Sequence, residues 1–119
     1  MHAARGSKPG SVLVLGLTFK ENIPDLRNSK VADLVGTLGR LAHAVTVHDP
    51  HADAGEAAHE YGIPLIADAL ERRYDLVVLA VPHREYLAMG GEALRGLLAE
   101  GGMLADLKGE LEGFADWSL

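Results

Sequence analysis

The residues best suited to chemistry lie in one short segment, GLTFKENIPDLRNSK, at positions 16–30. It carries the basic side chains Lys20, Arg27 and Lys30, and it follows an apolar run typical of a buried strand. In an α/β sheet, the connection from the first strand to the first helix commonly holds a phosphate, because amides at a helix N-terminus are free to donate. The segment therefore indicates either a pocket for a small anionic ligand or a loop whose charges are merely solvated.

Three further residues follow predicted strands and face the same edge of the sheet. Lys108 adds a positive charge to the expected pocket. His83 either points into the crevice, where it would be able to gain or lose a proton, or is a turn residue or helix cap. Asp49 stands where an NAD-binding fold has its ribose-binding acid, but only Gly16 of a GxGxxG fingerprint is present. We therefore predict an Asp-Pro turn at Asp49 and no binding of NAD by this chain alone.

The other side chains of catalytic type predict no reaction centre. His48, Asp49, His51 and His59 can be drawn together as a metal site, but nothing in their spacing enforces it, and loop or surface histidines are the better interpretation. The chain has no cysteine, which excludes disulfides, thiolate ligands and a cysteine nucleophile within it. We predict no metal site and no catalytic residue in this chain.

Length and composition predict one soluble globular domain. The chain has 119 residues, of which 48% are hydrophobic and 24% charged. The net charge of −6 argues against a nucleic-acid partner, and no apolar run approaches the roughly 20 residues of a membrane span, so no membrane partner is expected. Residues 1–10 lack the apolar core of a secretion signal and are interpreted as a linker or expression remnant. Together with the absence of cysteine, this predicts a cytoplasmic protein.

Buried strands alternate with amphipathic helices along the chain. Strands are predicted at 11–16, 44–48, 63–67, 75–81 and 102–107. Helices are predicted at 29–42, 53–61, 68–73 (one or two turns) and 84–100. Asn28 or Ser29 would cap the first helix, Gly62 would end the second, and Gly90 with Gly91 would break the last.

This alternation predicts an α/β fold: a Rossmann-like, doubly wound parallel sheet of about five strands with helices on both faces. Right-handed crossovers favour the strand order 3-2-1-4-5, with the switch point between the first and fourth strands. Ligands in such folds bind beyond the carboxyl ends of the strands at that point, where the 16–30 segment begins.

The segment GLTFKENIPDLRNSK resembles the start of the UDP-binding C-terminal domain of the UDP-glucose/GDP-mannose dehydrogenase family. The resemblance continues through VHDP at 47–50, YDLVVLAVPHREY at 74–86, DLKG at 106–109 and the closing WSL. It covers nearly everything after residue 11, in order. The ENIPDLRNSK version is similar to the branch that acts on UDP-N-acetylhexosamines.

The resemblance implies that residues 11–119 are the UDP-sugar-binding C-terminal domain of an NAD-dependent UDP-sugar 6-dehydrogenase. Such an enzyme oxidises the sugar C6 alcohol to a carboxylate in two hydride transfers to NAD, through a cysteine that this chain lacks. NAD would be bound mainly by an N-terminal domain, and a central helical region would form a homodimer or higher oligomer. The chain is then an excised domain, expected to be inactive alone, whose partners are the UDP-sugar and those two domains.

By the family pattern, one run lines the nucleotide-sugar site: Phe19, Lys20, Glu21, Asn22 and Ile23. Lys20 would pair with the anionic part of the substrate, and Arg27 would reach the NAD. Lys108 falls where relatives have an arginine that contacts the substrate, although a lysine cannot make the same bidentate contact.

Two other residues are assigned supporting roles, and a third departs from the family pattern. Asp25 would orient Arg27 or the loop, and His83 would support the site. Tyr86 stands where phenylalanine is common, a difference that we assign to packing.

Two other functions suit a doubly wound domain. A phosphoacceptor signalling module would explain a lysine after the last strand, but it needs an acidic pair after the first strand to hold Mg²⁺, where this chain has Gly-Leu-Thr at 16–18. A stand-alone NAD-binding regulator would need the glycines that the chain lacks.

Overall fold

The computed structural model describes residues 10–18, 20, 22–26, 29–41, 44–109 and 117–118. Within these residues five parallel strands form one sheet in the order β2-β1-β3-β4-β5. The strands are β1 (Ser11–Leu15), β2 (Ala44–His48), β3 (Tyr74–Leu79), β4 (Leu98–Asp106) and β5 (Trp117–Ser118). The helices are α1 (Lys30–Arg40), α2 (Ala54–Tyr61) and α3 (Arg84–Arg95), with a 3₁₀ turn at Ala69–Glu71. None of these helices is long and apolar enough to cross a membrane.

The predicted α/β class and doubly wound sheet are confirmed, and four of the five predicted strands form in the predicted order. The predicted strand at 63–67 is wrong. That segment makes a single parallel bridge, between Leu65 and Val47, although it lies beside β2 as expected. Pro64 has no amide hydrogen to donate, which prevents a continuous ladder. The two-residue β5 has no counterpart among the predicted strands.

The central strand β1 is buried on both faces, as its unbroken apolar run predicts. Leu13 and Leu15 pack with α3 and the 3₁₀ turn on one face. Val12 and Val14 pack with α1 and α2 on the other. Each fully buried aliphatic side chain contributes about 1.5 to 3 kcal/mol, so this strand anchors both layers of the fold.

The helix ends follow the predicted signals in three places. Ser29 caps α1 by accepting a hydrogen bond from the amide of Ala32 at 3.2 Å. Gly62 ends α2 in the left-handed region at φ 67°. Gly90 interrupts α3 at φ 84° and ψ 158°. Asn28, the other predicted cap, lies outside the described residues.

The predicted helix over 84–100 is wrong beyond Arg95, because β4 begins at Leu98 instead of the predicted 102. Leu98 pairs with Tyr74, and the register then shifts before Met103 pairs with Leu76. Gly101 lies in this irregular stretch at φ 79°, a conformation open mainly to glycine. Pairing with β3 therefore overrides the local helical pattern.

Gly16 allows the chain to leave β1 between its two neighbouring strands. Its φ is 100°, and a β-carbon at this position would lie 2.6 Å from Cβ and 2.8 Å from N of Val81. Its amide donates to the carbonyl oxygen of His48 at 2.8 Å. Only glycine satisfies both the backbone angle and the close approach.

We expect Gly16→Ala to lower the free energy of unfolding by about 2 to 5 kcal/mol, since backbone strain and steric overlap add. Gly62→Ala, which has positive φ but nothing within 4 Å of the new methyl group, should lose only about 1 to 2 kcal/mol. Gly39→Ala, within α1 and equally unobstructed, should gain about 0.5 to 1 kcal/mol. Urea denaturation of the three variants checks this order, and equal losses for Gly16→Ala and Gly62→Ala would contradict it.

Candidate functional site

The connection that leaves β1 is held by the buried carboxylate of Asp49, at the end of β2. Its Oδ2 accepts hydrogen bonds from the amides of Leu17 at 2.6 Å and Thr18 at 3.0 Å. The same oxygen lies 2.9 Å from Nε2 of His83. These three contacts join the β1 turn, the end of β2 and the start of α3 at one atom.

The second oxygen of Asp49 forms the predicted turn. Oδ1 accepts from the amides of His51 at 2.7 Å and Ala52 at 3.1 Å. Both oxygens are thus occupied by donors from the protein itself. The carboxylate is therefore not available for the ribose contact that an acid at this position makes in NAD-binding folds.

His83 is fully buried and bonded at both ring nitrogens. Its Nδ1 accepts from the amide of Asn22 at 2.8 Å, while Nε2 faces Asp49 and lies 3.1 Å from Oγ1 of Thr18. A neutral ring with its proton on Nε2 satisfies these contacts. His83 occupies the N-cap position of α3 without capping it. Asn22 takes that task, since its Oδ1 accepts from the amide of Arg84 at 2.7 Å.

The hydrogen bonds to Asp49 outweigh the effect of its burial. Burial alone would raise the pKa of this carboxyl group, but the bonds from His83 and from the amides of Leu17, His51 and Thr18 lower it from 3.8 to about 2. The charged form is therefore the one that the fold selects.

Hydrogen bonds also hold the far end of the loop, at Leu26 and Ser29. Ser29 donates from Oγ to the carbonyl oxygen of Leu17 at 2.6 Å. The hydroxyl of Tyr61, at the end of α2, donates to the carbonyl oxygen of Leu26 and accepts from the amide of Ser29 at 3.3 Å. Lys20, Asn22, Ile23 and Asp25 thus lie on a loop whose two ends are anchored in the sheet layer.

A cavity of about 500 Å³ opens beside this loop, between α1 and the carboxyl ends of β1, β3 and β4. Small-molecule sites commonly occupy about 300 to 1,000 Å³. The cavity lies at the switch point between β1 and β3, as predicted for a ligand crevice. Its described lining consists of Thr18, Lys30, Val31, Leu34, Ala80, Val81, Leu107 and Lys108.

The structure brings together some of the predicted site residues and not others. Lys30 and Lys108 line the cavity. Lys20 is exposed and is not part of the described lining, and its carbonyl oxygen accepts from Oγ1 of Thr18 at 2.9 Å. Asn22 is exposed and faces the start of α3.

The other predicted site residues lie within the loop or outside the described residues. Ile23 and Asp25 are half-buried within the loop. Phe19, Glu21 and Arg27 lie outside the described residues, as do residues 1–9 of the predicted linker. Of the histidines considered for a metal, His59 is exposed on α2, while His51 pairs with Glu85 at 2.8 Å. No group of three ligating side chains in the described part of the chain could hold a metal ion.

Tyr86 packs in the core, as its assignment to packing predicts, and its hydroxyl makes hydrogen bonds as well. Its buried hydroxyl donates to the carbonyl oxygen of His48 at 2.8 Å and lies 2.7 Å from Nδ1 of the same residue. Burial raises the pKa of Tyr86 far above its ordinary value and lowers the pKa of His48, so both groups stay neutral. Where phenylalanine would only fill space, Tyr86 ties α3 to the end of β2.

Stability should depend on the ionisation of Asp49 in acid. Because its pKa is lower in the folded chain, its contribution is fully present above about pH 4 and is lost as the pH falls through about 2. The shift corresponds to about 2 kcal/mol. Asp49→Asn should lose a comparable amount near neutral pH and decline less between about pH 4 and about pH 2. Urea denaturation of both proteins between about pH 4 and about pH 2 measures these losses. Parallel declines in their free energies of unfolding would exclude Asp49 as the source of the loss in acid.

Tyr86→Phe should lower the free energy of unfolding by about 1 to 3 kcal/mol, since it removes the hydroxyl that lies against Nδ1 of His48 and donates to its carbonyl oxygen, which keeps only the amide of Gly16 among its described donors. Urea denaturation at neutral pH measures this loss. A change within about 0.5 kcal/mol, as is usual for surface substitutions, would restore the packing interpretation.

Comparison with known proteins identifies this arrangement. The sequence profile described as "UDP-glucose/GDP-mannose dehydrogenase family, UDP binding domain" matches residues 13–112. The UDP-N-acetyl-D-glucosamine 6-dehydrogenases of Pseudomonas aeruginosa and Salmonella typhi are 47% and 43% identical over 97 and 98 residues. Each match covers 82% of this chain and 23% of the relative, so the chain spans about a quarter of the length of these relatives.

Solved structures show the same fold. UDP-D-ManNAc dehydrogenase from Pyrococcus horikoshii superposes with a TM-score of 0.67 at 20% identity, over 93% of this chain and 25% of that one. The UDP-N-acetyl-mannosamine dehydrogenase Cap5O from Staphylococcus aureus gives a TM-score of 0.63 at 19% identity, over 93% and 24%. The chain belongs to the UDP-glucose/GDP-mannose dehydrogenase family, and the part of it that matches is that family's UDP binding domain.

Proposed function

We propose that this chain binds the nucleotide of a UDP-N-acetylhexosamine within an NAD-dependent UDP-sugar 6-dehydrogenase. The observation that carries the proposal is the cavity at the switch point of the sheet, flanked by Lys30 and Lys108. The names of the relatives support the substrate class, and the match to a UDP binding domain supports the nucleotide. Residues 11–119 form this domain, and residues 1–10 precede it as a linker.

The hydrogen bonds of Asp49 indicate on which side of the loop the diphosphate binds. In a dinucleotide-binding fold, the amides of the turn after the first strand take the pyrophosphate. Here the amides of Leu17 and Thr18 already donate to Asp49. A phosphate would have to displace a carboxylate of the same charge, so the diphosphate binds elsewhere.

The first turn of α1 supplies the alternative donors. Amides in the first turn of a helix have no backbone partner within it, and the helix dipole favours an anion there. The amide of Ala32 already donates to Ser29, so the amides of Lys30 and Val31 are the proposed donors. Lys30 begins α1 and Lys108 follows β4, so two ammonium groups flank this end of the cavity. Charge and free donors together suit a diphosphate.

The apolar walls of the cavity suit the uncharged parts of the ligand. Val31 and Leu34 of α1 face Ala80, Val81 and Leu107 from the strand ends. Flat ring faces pack against such side chains, while the lysines bind the phosphates. A uridine diphosphate therefore fits the distribution of polarity in this cavity.

For the loop residues we propose the roles that the family pattern implies. Lys20 pairs with the anionic part of the substrate from the exposed side of the loop, and Lys108 contacts it from β4. Phe19, Glu21, Asn22 and Ile23 line the nucleotide-sugar site. Arg27 reaches NAD, while Asp25 and His83 support the loop.

In the whole enzyme the task of this chain is positioning. NAD, bound mainly by another domain, supplies the hydride acceptor, and a cysteine outside this chain supplies the nucleophile. By holding the diphosphate at a fixed place, these residues bring C6 of the sugar within reach of that chemistry. The enzyme works in the cytoplasm as a homodimer or higher oligomer, with the N-terminal and central domains as partners of this one.

A chimera tests the proposal. This chain replaces the matching segment of the Pseudomonas aeruginosa UDP-N-acetyl-D-glucosamine 6-dehydrogenase, and NADH formation from UDP-N-acetylglucosamine and NAD is followed. We expect activity, and we expect Lys20→Ala and Lys108→Ala each to lower kcat/KM about 10- to 100-fold, because a charge-assisted hydrogen bond contributes about 1.5 to 3 kcal/mol.

Arg40→Ala is the matched control, since Arg40 is an exposed cation at the opposite end of α1. It should leave kcat/KM within about twofold. If Lys20→Ala and Lys108→Ala behave like Arg40→Ala in an active chimera, the proposed site is wrong.

A further inference from the structure

We propose that Asp49 and His83 are positioning residues, which hold the connection between β1 and α1 in the shape that binds the nucleotide. The inference rests on the proposed function and deepens it. Neither residue belongs to the described lining of the cavity beside α1, so both act through the loop that they hold.

The side chains of Asp49 and His83 are wholly buried, and they hold the loop through directional hydrogen bonds as well as filling space. Both side chains have no exposed surface, and their contact at 2.9 Å replaces water for both groups. Apolar side chains of similar volume often replace a buried polar pair with no loss of stability. What Asp49 and His83 add is a fixed set of hydrogen bonds, and every partner on the loop is a backbone or hydroxyl group.

These bonds bracket Lys20 on both sides. Before it, the amide of Thr18 donates to Asp49 and the Thr18 hydroxyl donates to the carbonyl oxygen of Lys20 at 2.9 Å. After it, the amide of Asn22 donates to His83. The backbone from which the Lys20 side chain projects is therefore held two residues away in each direction.

Asn22 adopts a backbone conformation that its hydrogen bonds hold in place. Its φ is 64°, in the left-handed region that asparagine enters more readily than other residues with a side chain. Its bonds to His83 and to the amide of Arg84 stabilise this conformation. Without His83 the loop loses one of these two supports.

Neighbouring side chains hold His83 in turn. The ring of His51 lies 4.4 Å from the His83 ring, centroid to centroid, and is itself paired with Glu85 at 2.8 Å. The ring of Tyr86 lies 5.8 Å away on α3. Rings on two elements therefore restrict the orientation of the imidazole, which a residue that positions others requires.

Two substitutions at one position separate positioning from packing. His83→Leu keeps an apolar volume and removes both nitrogens. His83→Gln keeps one acceptor for the amide of Asn22 and one donor for Asp49. In the 119-residue chain, amide hydrogen exchange is measured at Asn22 and Thr18, with Val14 in β1 as the internal reference, and UDP affinity is measured by titration.

We expect His83→Leu to raise the Kd for UDP and the exchange rate at Asn22 by about tenfold each, as for the loss of one hydrogen bond, with Val14 unchanged. His83→Gln should restore both to within about threefold of the wild type. A purely packing role predicts the reverse order, with glutamine the more damaging change.

The remaining outcomes separate the positioning role of His83 from the proposed function of the chain. Equal UDP affinity in wild type and folded His83→Leu overturns the positioning role and leaves the proposed function standing. If the isolated wild-type chain binds no UDP, the KM for UDP-N-acetylglucosamine in the active chimera is measured in place of the Kd. An unchanged KM for His83→Leu in that chimera overturns the positioning role, whereas the Lys20→Ala and Lys108→Ala variants decide the proposed function. Should His83→Leu fail to fold, Asp49→Asn decides, since it keeps the shape of the side chain and removes one acceptor oxygen. Weakened UDP binding then supports the positioning role, and unchanged binding overturns it.

Discussion

One carboxylate determines how this domain differs from a dinucleotide-binding fold of the same topology. Asp49 accepts five hydrogen bonds, two of them from the amides of the turn after β1. In dinucleotide-binding relatives of this topology those amides receive the ligand's pyrophosphate. Here those amides donate to a carboxylate of the protein instead, so the turn has a structural role.

With the amides of that turn bonded to Asp49, the apolar surface that remains open lies along α1. This helix carries a regular apolar stripe, yet none of its residues is fully buried. Val31 and Leu34 remain half-exposed because the helix stands off the strand ends and leaves the cavity between them. An amphipathic face that is incompletely covered by its own sheet has apolar surface available to a bound molecule. The longer connection, tied at Ser29 and by Tyr61, is what allows α1 to begin at this distance.

The fold was predictable wherever a pattern is local. The apolar run of β1, the capping serine before α1 and the paired glycines in α3 each determine structure through their own backbone or nearest neighbours. Prediction was wrong in two places for different reasons. At 63–67 the missing amide hydrogen of Pro64 was a local signal that outweighs the apolar pattern, whereas at 98–100 pairing with β3 overrides a helical pattern and depends on residues distant in sequence. The same distinction applies to the site. Lys30 and Lys108 were placed at the crevice because strand and helix ends converge there, whereas the role of Asp49 depends on partners 31 and 34 residues away in sequence.

The electrostatics of the whole domain give the cavity a preferred direction of approach. The chain carries a net charge of −6, which by itself disfavours an anionic ligand. Lys30 and Lys108 lie together at the carboxyl edge of the sheet, with Lys20 on the adjoining loop. These positive charges favour an anion at that edge, as does the N-terminus of α1. The negative charge of Asp49 would oppose this attraction if it were exposed. It is buried instead, and its charge is compensated by amides and by the imidazole of His83. The buried carboxylate and the positively charged edge can therefore lie within a few residues of each other.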